Sequence, residues 1–342
     1  MSAEDARGPA AGAEDPRRSA ADAEDPRPEA AGGELRPEAA GEEPRPEGQA
    51  LDARRFALLV NPASAGGRAL KALPTVHAVL DELDAEHRTV TTRSIDHAYE
   101  EALKAAGEGE TVVALGGDGL LRPLAGALKG TDSALALVPC GRGNDLARVL
   151  GIPKDPAAAA RIAVEGEERL LDVANVEGTP YMGIASFGFD SDANRIANEA
   201  KLVKGNAVYV YAALRALVAW KPATFTVTVD GERHDFTGYS VAVGNSKAYG
   251  GGMFILPHAE LDDGKLDVML TKETSKLRCL IELPKVFRAA HVDSEHVQFL
   301  RGEEIEVTSD RPFVIYADGD PIGATPAMMR VERRCLRVIT PS

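Results

Sequence analysis

From Phe56 to Pro139 short apolar runs alternate with stretches of helical spacing, and this alternation restricts the chain to few folds. Phe56–Val60 (FALLV) ends at Asn61-Pro62 and reads as a buried strand. A helical stretch runs to Leu83, a second strand lies near Arg88–Thr92, and Asp96 is placed to cap a helix ending about Ala106. Thr111–Leu115, Leu120–Lys129 and Ala134–Pro139 then read as strand, helix and strand. Strands and helices in turn predict an N-terminal doubly wound α/β domain with a mostly parallel sheet, over residues 55–166.

After about Leu170 the texture changes. LLDVANV, TPYMGIASF, TFTVTVDGE, YSVAVGNS, KLDVMLT and EEIEVTSD are strand-like, with Asp230-Gly231 as a hairpin turn. Helical stretches at Ala207–Trp220 and Leu277–Ala290 interrupt them. The expectation is a C-terminal, mainly antiparallel β-sandwich domain over residues 167–322, with segment 323–342 returning to complete the first domain. The fold class is therefore α/β plus β.

Residues 1–54 are of another kind. They hold seven Arg, no Lys and fourteen acidic residues, and account for half of the chain's net charge of −14. Seven prolines and a ragged repeat of the AEDPR type leave almost nothing large and apolar, so this segment reads as a disordered acidic tail. It lacks the apolar core of a signal peptide. No run in the chain approaches the roughly 18 apolar residues of a membrane span. Cys140, Cys279 and Cys335 are scattered in no paired or metal-like spacing, as in a cytoplasmic protein with reduced thiols. The acidic balance argues against nucleic acid as a partner. The seven histidines form no ligand spacing.

Ligands of open parallel sheets sit beyond the carboxyl ends of the strands. Three loops leave those ends here: Asn61-Pro62-Ala63-Ser64-Ala65-Gly66-Gly67, Gly116-Gly117-Asp118-Gly119 and Gly141-Arg142-Gly143-Asn144-Asp145. One such loop is ordinary turn chemistry, but three at one sheet edge point to phosphate, which backbone amides and helix N-termini receive. Asp118 inside such a loop would repel phosphate unless a Mg²⁺ ion lay between them, which points to a metal–nucleotide complex.

The order Asn-Pro-x-Ser, Gly-Gly-Asp-Gly, then Gly-x-Gly-Asn-Asp-x-Ala-Arg (Gly141 to Arg148) resembles the catalytic domain of diacylglycerol and sphingosine kinases, in its bacterial branch. The resemblance continues through Leu171-Asp172-Val173, Ser186–Asp190, Gly250-Gly251-Gly252, and Asp263-Gly264-Lys265-Leu266-Asp267-Val268. It closes with Ala317-Asp318-Gly319-Asp320, where the family has Asp-Gly-Glu. It spans nearly all of residues 55–342.

What the resemblance implies is a lipid kinase that uses ATP and Mg²⁺, with diacylglycerol the first expected acceptor and a sphingoid base or ceramide as others. Residues 61–65, Thr92 and 116–122 would line the ATP site. Asp320 would accept the proton, with Asp318 beside it, and Asp118 would position a catalytic Mg²⁺. A structural Mg²⁺ would be held by Asp263 and by the backbone carbonyls of Glu260 and Lys265. Leu120, Arg122, Pro123 and Arg142 depart from the family, which has Thr, Asn and Glu at the first three places and Thr at the fourth. Both arginines could bring positive charge to phosphates in a loop that lost neutral donors, beside Gly143 and Asn144. Two other readings stay open: an NAD-kinase-like enzyme, and a pseudokinase that binds without turnover. Arg278, Lys285 and Arg288 could approach anionic headgroups, giving transient peripheral contact with the inner membrane face. Exposed strands of the β domain could pair in a homodimer.

Overall fold

The computed structural model describes residues 54–199 and 207–342; all but Arg54 of the acidic tail lies outside the described residues. Four strands build the parallel layer: β1 (Phe56–Val60), β2 (His87–Thr91), β3 (Thr111–Gly116) and β4 (Ala134–Pro139). They stand in the order β2-β1-β3-β4 with every pair parallel. β1, β3 and β4 are buried at every position, as strands covered on both faces must be. The covering helices are α1 (Arg68–Glu82), α2 (Ile95–Gly107), α3 (Asp118–Leu128), the short α4 (Asp145–Val149) and α5 (Pro156–Glu165). α1 packs beside α5 and α2 beside α3, so the sheet is wound on two sides. Ser94, not Asp96, caps α2: its Oγ accepts from the His97 amide at 3.0 Å. Asp96 sits in the first turn, where a carboxylate favours the positive end of the helix.

The second layer begins with β5 (Glu167–Val176), β6 (Thr179–Tyr181) and β7 (Ile184–Gly188). Helices α6 (Phe189–Glu199) and α7 (Ala207–Ala219) follow, then β8 (Ala223–Val229), β9 (Glu232–Gly244) and β10 (Leu266–Lys272). After α8 (Lys276–Glu282) come β11 (Val297–Gly302), β12 (Glu304–Ser309), β13 (Val314–Ala317), β14 (Asp320–Ala324) and β15 (Ala327–Thr340). β8 alternates buried and open positions, the pattern of an antiparallel strand with one wet face. Asp230 and Gly231 both take left-handed φ, 48° and 88°, which suits the two-residue turn between β8 and β9. The stretch read as one helix over 277–290 is broken. α8 stops at Glu282 and continues only as 3-10 turns, because Pro284 has no amide to carry the helical ladder forward. α6 falls in a stretch for which the sequence predicts no element.

The two largest hydrophobic cores among the described residues are one centred on β1, β3 and β4 and one between the antiparallel strands. β15 serves both. Its first half pairs with β12, and its second half lies parallel to β4 through Arg337–Ala134 and Val338–Leu135, with β5 antiparallel alongside.

Asp172 ties this seam. The residue is fully buried, and its carboxylate accepts the amides of Gly264 and Arg334 at 2.6 Å each, while its carbonyl accepts Asn245 Nδ2 at 2.8 Å. An amide side chain has one oxygen for these two donors. Asp172→Asn is therefore expected to cost about 2 kcal/mol in urea unfolding with an unchanged m-value. Unchanged stability would mean the seam does not depend on this carboxylate. No helix among the described residues is long and apolar enough to cross a membrane.

Candidate active site

The three glycine-bearing loops meet at the carboxyl edge of the parallel strands. The second and third loops touch backbone to backbone: a Cβ at Gly141 would lie 2.4 Å from the Gly117 Cα, and one at Gly117 would lie 2.8 Å from the Gly141 Cα. Glycine is required at both places for this approach. Asn144, at φ 52°, folds its own loop by accepting the Gly141 amide at 2.7 Å and donating to the Gly141 carbonyl at 3.1 Å.

Asp118 opens α3 and binds the third loop directly. Its two carboxylate oxygens accept the amides of Asn144 at 2.7 Å and Asp145 at 2.8 Å. Burial and the neighbouring Asp145 carboxylate push its pKa upward, and these amides oppose the shift. Gly143 must be small here as well, since a Cβ would sit 2.8 Å from Asp118 Oδ2. Asp145 is buried; it accepts the Gly251 amide at 2.8 Å and pairs with Arg148.

The β13–β14 hairpin brings two more carboxylates. Asp318 and Gly319 form its turn with left-handed φ of 51° and 92°, so the turn chemistry of Asp-Gly-Asp-Pro and the approach to the site are one feature. Asp318 accepts the amides of Met182 and Gly183 at 2.8 Å each. It lines one cleft with Asp118, Asp145 and Tyr249. Asp320 opens β14 and pairs with Arg122 of α3 at 3.5 Å. A Cβ at Gly119 would lie 3.7 Å from Asp320 Oδ2. Asp118, Gly119 and Arg122 from one layer thus meet Asp318 and Asp320 from the other.

A second, open cleft lies against the start of α3, lined by Asn61, Pro62, Ala63, Thr92, Gly119 and Leu120. Ser64 is buried behind Gly117, and Ala65 stands beside it at φ 43°. Thr92 spends its hydroxyl on the Val60 carbonyl at 3.1 Å, so it offers shape rather than a free donor. Gly116 closes β3, and Arg142 stands exposed on the third loop.

Burial, above all, pushes the Asp318 pKa from 3.8 to about 6; Asp118 adds to the rise, while the Met182 and Gly183 amides and Arg122 oppose it. The folded protein then holds this proton more tightly than the unfolded chain. Stability linked to Asp318 is fully present below 3.8 and is lost as pH rises through about 6. In the nucleotide-free protein, Tm of the wild type should fall relative to Asp318→Asn across that window. Parallel Tm profiles from differential scanning fluorimetry would show that Asp318 titrates normally.

No group of three or more His, Cys, Asp or Glu among the described residues is arranged to hold a metal ion by itself. At the glycine loops two carboxylates, Asp118 and Asp318, line one cleft, and Mg²⁺ commonly takes one or two carboxylates and the rest from phosphate and water. Crowded carboxylates with upward-shifted pKa, Asp118 and Asp318, are what such an ion neutralises. At the Glu260, Asp263 and Lys265 loop, Oδ2 of Asp263 and Oδ2 of Asp267 are buried without a hydrogen-bond partner. Asp263 pairs with Arg301 and accepts the Lys265 amide at 2.9 Å, and Arg301 also reaches Asp267 at 3.5 Å. A guanidinium thus stands beside both carboxylates.

Behind the carboxylate cleft, and sharing Tyr249 with it, is an apolar cavity of about 130 Å³. Phe189, Met253, Met269, Leu283 and Val286 are among its walls. Sequence reasoning misses it because its walls come from separated segments.

A parallel layer with three glycine loops thus meets an antiparallel layer that delivers a carboxylate hairpin to the same cleft. Residues 55–176 match the diacylglycerol kinase catalytic domain, and residues 183–340 match the YegS C-terminal NAD kinase beta sandwich-like domain. A diacylglycerol kinase of Mycobacterium tuberculosis is 33% identical over 297 residues, covering 83% of this chain and 94% of that protein. A diacylglycerol kinase of Bacillus subtilis is 25% identical over 295 residues, covering 84% and 97%. The crystal structure of a putative diacylglycerol kinase from Bacillus anthracis shares the fold, with a TM-score of 0.71 at 21% identity over 84% of this chain and 97% of that one. The chain belongs to the diacylglycerol kinase and YegS-like lipid kinase family.

Proposed function

We propose that this chain transfers the γ-phosphate of ATP to the free hydroxyl of a diacylglycerol. The observation that carries the reading is the meeting of Asp320 with Gly119 and Arg122, which puts a carboxylate from the β13–β14 hairpin at the mouth of the glycine loops. Phosphoryl transfer to an alcohol needs neutralised phosphates, in-line geometry and a proton acceptor. Loops 61–67 and 116–119 and the start of α3 hold the triphosphate, and Arg122 and Arg142 bring charge to it. Mg²⁺, when bound with the nucleotide, supplies further neutralisation, and Asp118 and Asp318 are the residues that would hold it.

Asp320 takes the proton from the lipid hydroxyl as its oxygen attacks the γ-phosphorus. The bond to the β,γ-bridging oxygen breaks, and ADP leaves. The apolar cavity behind Tyr249 takes the acyl chains, so the glycerol hydroxyl is presented to the cleft while the chains stay out of water.

The test is transfer of radiolabel from γ-labelled ATP to diacylglycerol, sphingosine, ceramide and NAD, offered separately, with the lipids in detergent micelles. Label in phosphatidic acid is expected. Label only in another acceptor, or nucleotide binding with no transfer, would overturn the assignment.

A further inference from the structure

The exposed apolar side chains of this molecule are not spread evenly. Of the twelve large hydrophobic residues exposed among the described residues, seven fall on two short segments, 211–218 and 277–287. The segments touch: Lys276 Nζ at the start of α8 donates to the Val218 carbonyl in the last turn of α7 at 2.7 Å. This bond joins an ammonium to the negative end of a helix. Val218 is 78% exposed, Leu277 68% and Ile281 55%, so three of the most exposed apolar side chains stand at one corner.

α8 has two apolar faces. Cys279, Leu283 and Val286 follow helical spacing into its continuation and line the apolar cavity. Leu277, Leu280 and Ile281 follow the same spacing on the outside, and no residue of α8 is buried. A helix that only roofed the cavity would carry polar residues outward. The surrounding charge is also distinctive. Residues 276–288 hold Lys276, Arg278, Lys285 and Arg288 against the single carboxylate of Glu282, in a chain whose net charge is −14. Glu282 is occupied within the segment by Arg278 and Lys285, each at 3.0 Å.

We propose that the corner formed by the end of α7 and by α8 docks on an anionic bilayer, with Val218, Leu277 and Ile281 entering the acyl boundary. Lys276, Lys285 and Arg288 meet the headgroups around them. An acidic protein surface would satisfy the cations but leave the outward leucine and isoleucine in water, whereas a bilayer interface provides for both. The inference rests on the lipid-kinase reading in one respect: the docked face is the outer wall of the acyl cavity, so a diacylglycerol can pass from membrane to cavity along α8.

The full chain is sedimented with vesicles of phosphatidylcholine, with and without phosphatidylglycerol. The wild type should bind the mixed vesicles, and Leu277→Asp combined with Ile281→Asp should weaken binding about tenfold or more. Arg288→Glu should weaken binding several-fold on the mixed vesicles only. These positions are exposed, and a thermal melt verifies that each variant folds. The double variant should phosphorylate a short-chain diacylglycerol dissolved as monomers like the wild type, and lose turnover of the same lipid class embedded in vesicles.

Vesicle binding needs no catalysis, so an enzyme inert toward every lipid would refute the kinase assignment and leave the docking surface standing. Wild-type failure to bind anionic vesicles, or equal binding by the double variant, would overturn the docking surface. So would a wild-type dimer that the double variant splits while vesicle binding is unchanged, because the face would then join two copies of the chain.

Discussion

Asp320→Asn is expected to lower kcat about a thousandfold while leaving the KM for ATP within about twofold of wild type. The asparagine keeps the size of the side chain and can still face Arg122. It cannot take up the proton of the attacking hydroxyl, and that loss is confined to the transition state. Asp320→Glu restores the acceptor with one more methylene and should retain a substantial fraction of the rate. Steady-state kinetics on detergent-dispersed diacylglycerol read both. A loss of less than tenfold in the asparagine variant would move the acceptor role away from Asp320. An equal rise in KM would mean that the residue acts through the Arg122 contact on nucleotide binding.

Gly141→Ala should be strongly damaging. Its Cβ would lie 2.4 Å from the Gly117 Cα and 2.7 Å from Asn144 Oδ1, and the first of these neighbours is backbone. Overpacking of this kind costs about 3 kcal/mol, because no rotamer change relieves it. The strain can be released only by parting the second and third loops, which lengthens the bonds from the Asn144 and Asp145 amides to Asp118. The variant should therefore lose both stability in urea and affinity for ATP, measured by unfolding and by calorimetric titration. A variant that unfolds early yet binds ATP normally would show that the loop junction has no part in the nucleotide site.

Elements set by local chemistry are legible in the amino-acid sequence. Phe56–Val60 is readable to the residue because a continuous apolar run stops at Asn-Pro. The β8–β9 turn is readable because Asp-Gly accepts left-handed φ at both positions. The three glycine loops are readable as one set from strand alternation alone. The Ser94 cap is not, because either Ser94 or Asp96 can serve as a cap and only the helix start decides. The break after α8 is hidden because one proline is outweighed by the apolar spacing around it. The pairing of Arg122 with Asp320 joins residues from different layers, and no periodicity encodes it. The same holds for Asp172, a residue in an ordinary strand pattern whose carboxylate serves amides from two distant segments. Arg301 beside Asp263 follows from the register of β10 against β11, which places it opposite Asp267.

The strand over residues 327–340 also sets an order of assembly. β4 and β5 are synthesised early, yet the partner that lies between them emerges only after the whole antiparallel layer has left the ribosome. Until then the nascent α/β layer carries a bare strand edge, the feature by which unfinished sheets recruit one another. A fragment cut at residue 176, where the catalytic-domain match ends, would carry that edge permanently. The boundary drawn by sequence kinship thus leaves a strand edge that only the last strand of the chain covers.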